Sequence, residues 1–347
     1  MAKMAKMDIK SLTLPGLADW LAELGEPKYR ASQIFTWLHR RGAGEFAEMS
    51  DLSLPLREKL SQKAYINSIM IQKKLVSEVD GTVKYLYELS DGNFIEAVLM
   101  HHHHGSSLCI STQVGCRMGC GFCASTLGGL VRGLTPAEML DQLYTAQRDS
   151  AQRVDSLVLM GIGEPLDNFD NVLRFLRILS SPEGINLSLR HVSLSTCGLA
   201  DRIRELARCK LGLTLSVSLH APTDALRSRT MPVNKKWPLA ELIDACREYF
   251  ALTGRRISFE YALIDGVNDS PEHAARLAAL LAGLPCHVNL IPMNEVRETG
   301  YRRSTGERIQ SFRRRLEKGG VTVTVRRELG GDISAACGQL RRESAGT

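Results

Sequence analysis

The sequence predicts an α/β fold in which a parallel sheet closes into a full or partial barrel behind a small helical domain. Segments typical of strands and of helices alternate from Leu108 to the end of the chain, whereas the first 90 residues begin with short amphipathic helices. Glycine-rich and polar motifs follow several of the predicted strands. A parallel barrel places its functional site at the carboxyl ends of its strands, so these motifs are expected to share one site.

The first predicted domain covers residues 1–90 and contains three helical stretches. In the first two, apolar residues recur at intervals of three to four, which is the pattern of an amphipathic helix. The three helices are predicted at 14–24, 29–42 and 54–63. Residues 66–99 then alternate in the manner of strands, with turns at Asp80-Gly81 and Asp91-Gly92.

The core domain is predicted to span residues 91–347. Its strands are predicted at 108–113, 154–160, 190–195, 213–219, 256–263, 286–291 and 321–325. Its helices are predicted at 136–149, 169–180, 200–208, 238–252, 270–282 and 304–318. The first of these helices opens with Thr135, Pro136 and Glu138, a capping box with proline in the first turn.

The composition is that of an ordinary globular chain, with 347 residues, 44% of them hydrophobic and 24% charged. No stretch reaches the roughly 20 apolar residues of a membrane span, and the first residues lack the apolar core of a signal peptide. Nine cysteines, an odd number spread along the chain, argue against a disulfide framework. A cytoplasmic protein without membrane contact is therefore predicted.

Two further features have an ordinary explanation. Residues 297–342 hold twelve Lys and Arg against five Asp and Glu, in a chain of net charge +6. Such a block usually marks a solvated helix face, although a polyanion is a compatible partner. The four histidines at 101–104 are open to a metal-site interpretation, but an exposed connector is favoured.

Cys116, Cys120 and Cys123 form a C-x3-C-x2-C array in the loop after the first predicted barrel strand. Three thiolates at this spacing can hold three corners of an iron–sulfur cubane, which leaves one iron open to another ligand. The alternatives are a zinc site with a fourth ligand elsewhere and three unrelated buried cysteines. A closed zinc site usually pairs two C-x2-C units, or one with two histidines, and neither pattern is present.

The array and six distal motifs together resemble the RlmN/Cfr family of the radical S-adenosylmethionine (SAM) superfamily. The distal motifs are GIGEPLDN (161–168), SLSTCG (193–198), SVSLHAP (216–222), LIDGVNDS (263–270), HVNLIPMN (287–294) and GGDISAACGQL (330–340). The resemblance covers nearly the whole chain. It implies a (β/α)6 partial barrel with an N-terminal accessory domain, a [4Fe-4S] cluster held by the three cysteines, and two SAM molecules per turnover.

Members of this family methylate an adenine of 23S ribosomal RNA, and some also modify the adenine beside the tRNA anticodon. The resemblance therefore implies an RNA methyltransferase that needs an electron donor such as flavodoxin or ferredoxin. The segment Gly163-Glu164-Pro165-Leu166 resembles that of the type that methylates carbon 2 (RlmN) more than that of the type that methylates carbon 8 (Cfr). A different class of interpretation is a non-enzymatic iron–sulfur or zinc RNA-binding module, which predicts that Cys337→Ala leaves function intact.

The second helix carries Tyr29, Arg30, Gln33 and Trp37, and it is similar to the helical domain with which the family is thought to hold RNA. A packing helix whose arginines face solvent explains the same residues equally well. Both interpretations of this helix stay open.

Seven residues are predicted to contact SAM. Gly163 lets the backbone approach a ligand, and Glu164 can accept a hydrogen bond from an ammonium group, as in the family segment that holds the amino group of SAM. The other five lie at the ends of predicted strands: Ser195, Ser218, Leu219, His220 and Asn294. A glycine turn and structural hydrogen bonds explain these residues as well, and the family pattern favours ligand contacts.

Three residues are predicted to be catalytic. Glu96 is a carboxylate among apolar neighbours in the run FIEAVLM, and the family assigns an acid here as proton acceptor. Cys337 and Cys109 match the two catalytic cysteines of the family. The resemblance implies that Cys337 takes a methyl group from one SAM, that this methyl adds to adenine as a carbon radical, and that Cys109 releases the product by forming a disulfide. The remaining cysteines are interpreted as structural: Cys197, Cys209, Cys246 and Cys286.

Overall fold

The structure is a computed structural model that describes residues 6–103, 105–293 and 300–333. Two predicted site residues, Asn294 and Cys337, lie outside the described residues, as does His104 of the histidine run. No helix in the described ranges is long and apolar enough to cross a membrane.

The described strands are β1 (Met7–Asp8), β2 (Ala64–Tyr65), β3 (Met70–Val76), β4 (Val83–Glu88), β5 (Phe94–His102), β6 (Gly105–Cys109), β7 (Gln113–Gly115), β8 (Leu130–Gly133), β9 (Ser156–Leu159), β10 (Val192–Thr196), β11 (Thr214–Ser218), β12 (Ile257–Leu263), β13 (Cys286–Pro292) and β14 (Thr322–Val325). The described helices are α1 (Leu14–Glu23), α2 (Tyr29–Thr36), α3 (Leu54–Lys63), α4 (Pro136–Ser150), α5 (Phe169–Leu179), α6 (Ala200–Arg208), α7 (Asp224–Thr230), α8 (Leu239–Thr253), α9 (Pro271–Leu280) and α10 (Gly306–Lys318).

One sheet of ten strands organises the fold, in the order β14-β13-β12-β11-β10-β9-β6-β5-β4-β3. The strands from β6 and β9 through β14 pair in parallel, and each of the six connections between them carries at least one helix. β5, β4 and β3 extend the sheet with antiparallel pairings. Buried Leu, Ile and Val alternate along the central strands and pack against the helices. The predicted α/β class is confirmed.

Most predicted core elements agree with the structure to within three residues, and the first strand differs more. The strand predicted at 108–113 is Gly105–Cys109, because the chain leaves the β9 ladder after Ile110, whose N–H still donates to the Val158 carbonyl at 2.9 Å. The Thr112 N–H donates instead to the Ile162 carbonyl at 2.9 Å. Helix α7 was not predicted. The capping box of α4 is confirmed, since the Glu138 N–H donates to Thr135 Oγ1 at 3.2 Å and the Thr135 N–H to Glu138 Oε2 at 2.8 Å.

The N-terminal helices adjoin the core through a buried ion pair. Lys10 Nζ lies 2.7 Å from Asp141 Oδ1 on α4, and Asn67 Nδ2 donates to Asp141 Oδ2 at 2.8 Å. The helix predicted over 29–42 is α2 followed by a π-helical turn at Trp37–Arg41. The strands flanking residue 90, β4 and β5, are partners in one sheet. The division into domains at that residue stays a prediction.

Candidate active site

A cavity of about 370 Å³ lies at the carboxyl ends of the barrel strands. Its size falls within the range of small-molecule sites. Nine of the predicted site residues lie on its wall: Cys109, Cys116, Cys120, Cys123, Gly163, Glu164, Ser195, Ser218 and His220. These residues come from segments up to about a hundred positions apart in sequence, so the fold brings the separate motifs to one place.

The three cysteines of the array are neighbours in this wall. Cys116 and Cys120 are 7% and 8% exposed, and Cys123 is half-buried. Burial raises the pKa of the Cys116 thiol to about 12, and the nearby Cys123 adds to this rise. Burial likewise raises the pKa of Cys120, followed by the charges of Cys123 and Cys116. Grouped buried thiols of this kind suit a cationic iron–sulfur core, which would hold them as thiolates.

No three His, Cys, Asp or Glu side chains in the described ranges are placed to hold a single metal ion. The ligand role of the three cysteines stays a prediction.

The cysteine loop is fixed from two sides. The Gly121 N–H donates to the Thr230 carbonyl at the end of α7, at 2.9 Å. The ring of Phe122 meets the ring of His220 edge-on, with 4.8 Å between centroids. The Thr126 hydroxyl donates to the Cys123 carbonyl at 2.9 Å. The loop between the cysteines is therefore packed and hydrogen-bonded before any cofactor is considered.

Glu164 is buried, and its carboxylate accepts two backbone hydrogen bonds. Leu166 N–H donates to Oε1 at 3.0 Å, and Cys197 N–H donates to Oε2 at 2.7 Å. Burial raises the pKa of Glu164, and these hydrogen bonds oppose the rise. Each carboxylate oxygen keeps acceptor capacity, so an ammonium group can still bind.

The glycines beside Glu164 have a structural explanation, in agreement with the alternative of a glycine turn. Gly163 has φ +110°, and a Cβ there would stand 2.6 Å from the Cβ of Gln113. A Cβ at Gly161 would stand 2.5 Å from the Ile110 carbonyl oxygen. The small residues thus let this loop approach the segment that leads into the cysteine array, and a ligand is not needed to explain them.

His220 is a neutral imidazole held in an unusual conformation. Its φ is +54°, its Nδ1 accepts from the Ala262 N–H at 2.8 Å, and its carbonyl accepts from Asn268 Nδ2 at 2.8 Å. Burial, followed by the charge of Arg227, lowers the pKa of His220 to about 3. Asn268 belongs to the predicted motif at 263–270, so the structure explains that motif as a support for His220.

Two predicted site residues in the described chain do not line the cavity. Leu219 is fully buried behind the wall, where its N–H donates to the Glu260 carbonyl at 3.0 Å. Glu96 is 3% exposed and forms an ion pair with Lys84, with 3.2 Å between Oε2 and Nζ. Strand alternation places Glu96 on the same face of β5 as Val98, which does line the cavity. The sequence interpretation gave Glu96 apolar neighbours and did not include Lys84.

Three residues of this region were missed or interpreted differently. Glu260 lines the cavity and accepts from Asn289 Nδ2 at 2.8 Å, and burial raises its pKa. A charged residue within the apolar run ISFEYAL could have signalled it. Cys197, interpreted as structural, also lines the cavity. Arg227 is buried, and its guanidinium donates to the carbonyls of Cys197 and Ser218. No pattern in the sequence distinguished it from other arginines.

Parallel strands around a cavity that carries a three-cysteine loop define the class of radical SAM enzymes, and residues 110–278 match the family model of the Radical SAM superfamily. Residues 7–66 match the model of the ribosomal RNA large subunit methyltransferase N-terminal domain. A probable dual-specificity RNA methyltransferase RlmN from Alkaliphilus oremlandii is 53% identical over 98% of this chain and 99% of its own length. The protein of the same name from Lachnoclostridium phytofermentans is 52% identical over 97% of this chain and 95% of its own length.

A solved radical SAM methyltransferase from Sphaerobacter thermophilus has a TM-score of 0.90 and 43% identity, covering 96% of this chain and 98% of its own. The chain therefore belongs to the RlmN family of radical SAM methyltransferases, which confirms the resemblance seen in the motifs. Its cofactors are those of the superfamily, a [4Fe-4S] cluster and SAM.

Proposed function

We propose that this enzyme methylates carbon 2 of an adenine in 23S ribosomal RNA and also the adenine beside the tRNA anticodon. The observation that carries the proposal is the convergence of the cysteine loop with Glu164, Ser195, Ser218 and His220 on one cavity. The relatives named as dual-specificity RNA methyltransferases support the two RNA substrates. Both relatives carry the name of the carbon 2 type, RlmN, so they do not favour methylation at carbon 8.

Cys116, Cys120 and Cys123 would hold the cluster, because they lie in one loop of the cavity wall, two of them buried and one half-buried. Glu164 would accept a hydrogen bond from the amino group of SAM, and the hydroxyls of Ser195 and Ser218 would bind its polar groups. When bound, the cluster and SAM supply one-electron chemistry and a methyl group. Asn294 stays a proposed contact from its motif alone.

The neutral state of His220 limits its part in this site. Its Nδ1 already accepts a hydrogen bond, so its Nε2 carries the proton and can only donate. Burial lowers its pKa to about 3, which favours the neutral ring near neutral pH. His220 therefore positions Phe122 and the ligand, and proton transfer falls to other groups.

Cys109 is the thiol of the described chain best placed for the second catalytic role. It lies on the cavity wall on β6, opposite Val98 of β5. Glu96 is on the same strand as Val98, and its Oε2 lies 3.2 Å from Lys84 Nζ. We assign proton removal from the adenine ring to Glu96 or Cys109.

Cys337 would carry the methyl group. Support comes from the segment that precedes it, because residues 326–329 line the cavity. The chain is then anchored: Asp80 Oδ2 accepts from the Gly330 N–H at 2.8 Å, and the Ser77 hydroxyl donates to Asp332 Oδ1 at 2.7 Å. This anchoring ends within five residues of Cys337.

The first domain, residues 1–90, is proposed to contact RNA. Tyr29 is 59% exposed with the Arg30 guanidinium 4.9 Å from its ring centroid, and the Arg41 guanidinium lies 4.2 Å from the Trp37 ring. Aromatic rings paired with arginine are the usual means of stacking on unpaired bases. The electron donor is proposed to be a small carrier such as flavodoxin or ferredoxin, and the place of action the cytoplasm, where these RNAs are found.

The test uses anaerobically reconstituted protein with SAM, dithionite and 23S rRNA or tRNA. The RNA is digested to nucleosides, and the methyladenosine isomer is identified by mass spectrometry against both standards. We expect deoxyadenosine release and 2-methyladenosine in both RNAs. Formation of 8-methyladenosine, or protein that binds zinc in place of iron and sulfide, would contradict the proposal.

A further inference from the structure

Arg227 is a fully buried arginine whose partners are neutral. On α7, its Nε donates to the Leu219 carbonyl at 3.2 Å, and one terminal nitrogen donates to Asn234 Oδ1 at 3.0 Å. The other terminal nitrogen donates to the carbonyls of Cys197 at 2.6 Å and Ser218 at 3.1 Å. Within the described ranges, no carboxylate lies at ion-pair distance from this guanidinium.

The position of Arg227 is set by the cysteine loop and the ends of two strands. The carbonyl of Thr230, one helical turn further along α7, accepts the Gly121 N–H of that loop at 2.9 Å. Cys197, whose carbonyl binds the guanidinium, lines the cavity together with Cys120. Gly121, the neighbour of Cys120 in that loop, is therefore hydrogen-bonded directly to the helix that carries Arg227.

A buried charge without a counterion costs several kcal/mol in free energy. Carbonyl dipoles offset part of this cost, as does Asp224, whose Oδ1 accepts from Nδ2 of the Arg227 partner Asn234 at 2.9 Å, and an anion in the cavity would offset more. A cubane held by three thiolates is anionic and gains a further negative charge when one electron enters. The cavity wall beside Arg227 is where the proposed function places that group.

We propose that Arg227 is the counterion of the iron–sulfur cluster and raises its reduction potential. This inference rests on the proposed function. The step concerned is a one-electron reduction in which an external carrier gives the electron and no bond forms or breaks. Because the added charge is negative, a fixed positive charge stabilises the reduced state more than the oxidised state.

Three variants separate charge from structure. Arg227→Gln removes the charge, and Arg227→Lys keeps it while losing most of the bonds to the strand ends. Arg229→Gln is the matched control, because Arg229 lies on the same helix and is exposed. Each protein is reconstituted anaerobically, its iron and sulfide are counted, and the reduced cluster is followed by electron paramagnetic resonance during a potential titration without RNA.

We expect Arg227→Gln to lower the ratio of reduced to oxidised cluster about tenfold at a fixed potential, which is a shift of about 59 mV for one electron. Arg227→Lys and Arg229→Gln should stay within about twofold of the parent. Equal curves for Arg227→Gln and the parent would overturn the inference, and so would a shift of Arg227→Lys as large as that of Arg227→Gln.

Folding is checked by circular dichroism. If Arg227→Gln takes up no iron, Arg227→Lys carries the test: uptake with the parent potential supports the inference, and loss of uptake overturns the role of charge. Failure of the parent itself to take up iron and sulfide would contradict the proposed function, which distinguishes the two outcomes.

Discussion

Lys84 and Arg227 are both buried cations, and their surroundings differ. Lys84 is 1% exposed and lies 3.2 Å from the carboxylate of Glu96. Arg227 is 0% exposed, and its hydrogen-bond partners in the described chain are carbonyl oxygens and an amide oxygen. A carboxylate of the protein balances the first charge directly, whereas we propose that the cluster balances the second. Removing Lys84 or Glu96 should therefore lower the stability of the cofactor-free protein, and removing Arg227 should change the reduction potential of the cluster.

The largest expected effect comes from Lys84→Met, which leaves Glu96 buried without this cation. The free energy of unfolding should fall by about 3–5 kcal/mol at neutral pH. The double variant Lys84→Met/Glu96→Met should recover most of the loss, because no charge is then buried at this position. Urea unfolding of the cofactor-free protein measures both. A single variant within about 1 kcal/mol of the parent would show that Lys84 does not balance the charge of Glu96.

Ser218 lies on the cavity wall and Leu219 in the core behind it, so variants of the two compare ligand binding with stability. Leu219→Ala removes a fully buried side chain and should cost about 2–5 kcal/mol of stability, with SAM affinity unchanged. Ser218→Ala should leave stability nearly unchanged and weaken SAM binding by roughly threefold to tenfold, as for one lost hydrogen bond. Urea unfolding and equilibrium binding of SAM to reconstituted protein give the two values. The reverse pattern would support the predicted ligand contact of Leu219.

The neutral histidines His39 and His220 extend the comparison. Protonation of either one would add a buried positive charge near another cation, Lys10 for His39 and Arg227 for His220. Burial lowers the pKa of His39, near Tyr144, and of His220 to about 3, against an ordinary value of 6.5. The unfolded chain therefore binds more protons between pH 3 and 6.5, and stability falls as the pH falls through this window. Each histidine should contribute a loss of about 2 kcal/mol from neutral pH to pH 5.

The variants His39→Gln and His220→Gln identify these contributions. Each should flatten the dependence of the free energy of unfolding on pH between 6.5 and 5 by its own share. A profile as steep as that of the parent in both variants would mean that other groups cause the acid sensitivity. His191 is a suitable control position, because its side chain is exposed.

The smallest effect is expected at Lys74, on the strand β3 that neighbours β4. Its Nζ lies 2.6 Å from Oδ2 of Asp149 on α4. Both side chains are partly exposed, so water screens the pair. Lys74→Met should change the free energy of unfolding by no more than about 1 kcal/mol. A loss as large as that expected for Lys84→Met would mean that burial does not decide the strength of the pairs.

Local patterns were sufficient for much of this molecule. The alternation of apolar residues predicted the barrel strands and helices, and Thr135 with Glu138 predicted a cap that the structure contains. The cysteine array and the motifs around Glu164 and Ser218 predicted which segments meet at the cavity. Each of these features depends on residues a few positions apart, so it can be seen in the sequence.

Other features depend on residues brought together from distant parts of the chain. The sequence shows Glu96 in an apolar run, and only strand pairing places Lys84 beside it. Leu219 stands within a ligand-binding motif, yet its side chain points into the core. The turn at Asp80 has the pattern of an ordinary hairpin, and in the structure it holds Gly330, 250 residues away.

The sequence by itself determined the class of fold, the cysteine array and the family, because periodicity and motif spacing are local properties of the chain. The tertiary structure decided which buried charges are paired, which motif residues face the cavity and which face the core. The physical reason is that the free energy of a buried charge depends on the groups that surround it in space. For Arg227 those groups come from the ends of two strands and from the turn after its own helix, which only folding assembles.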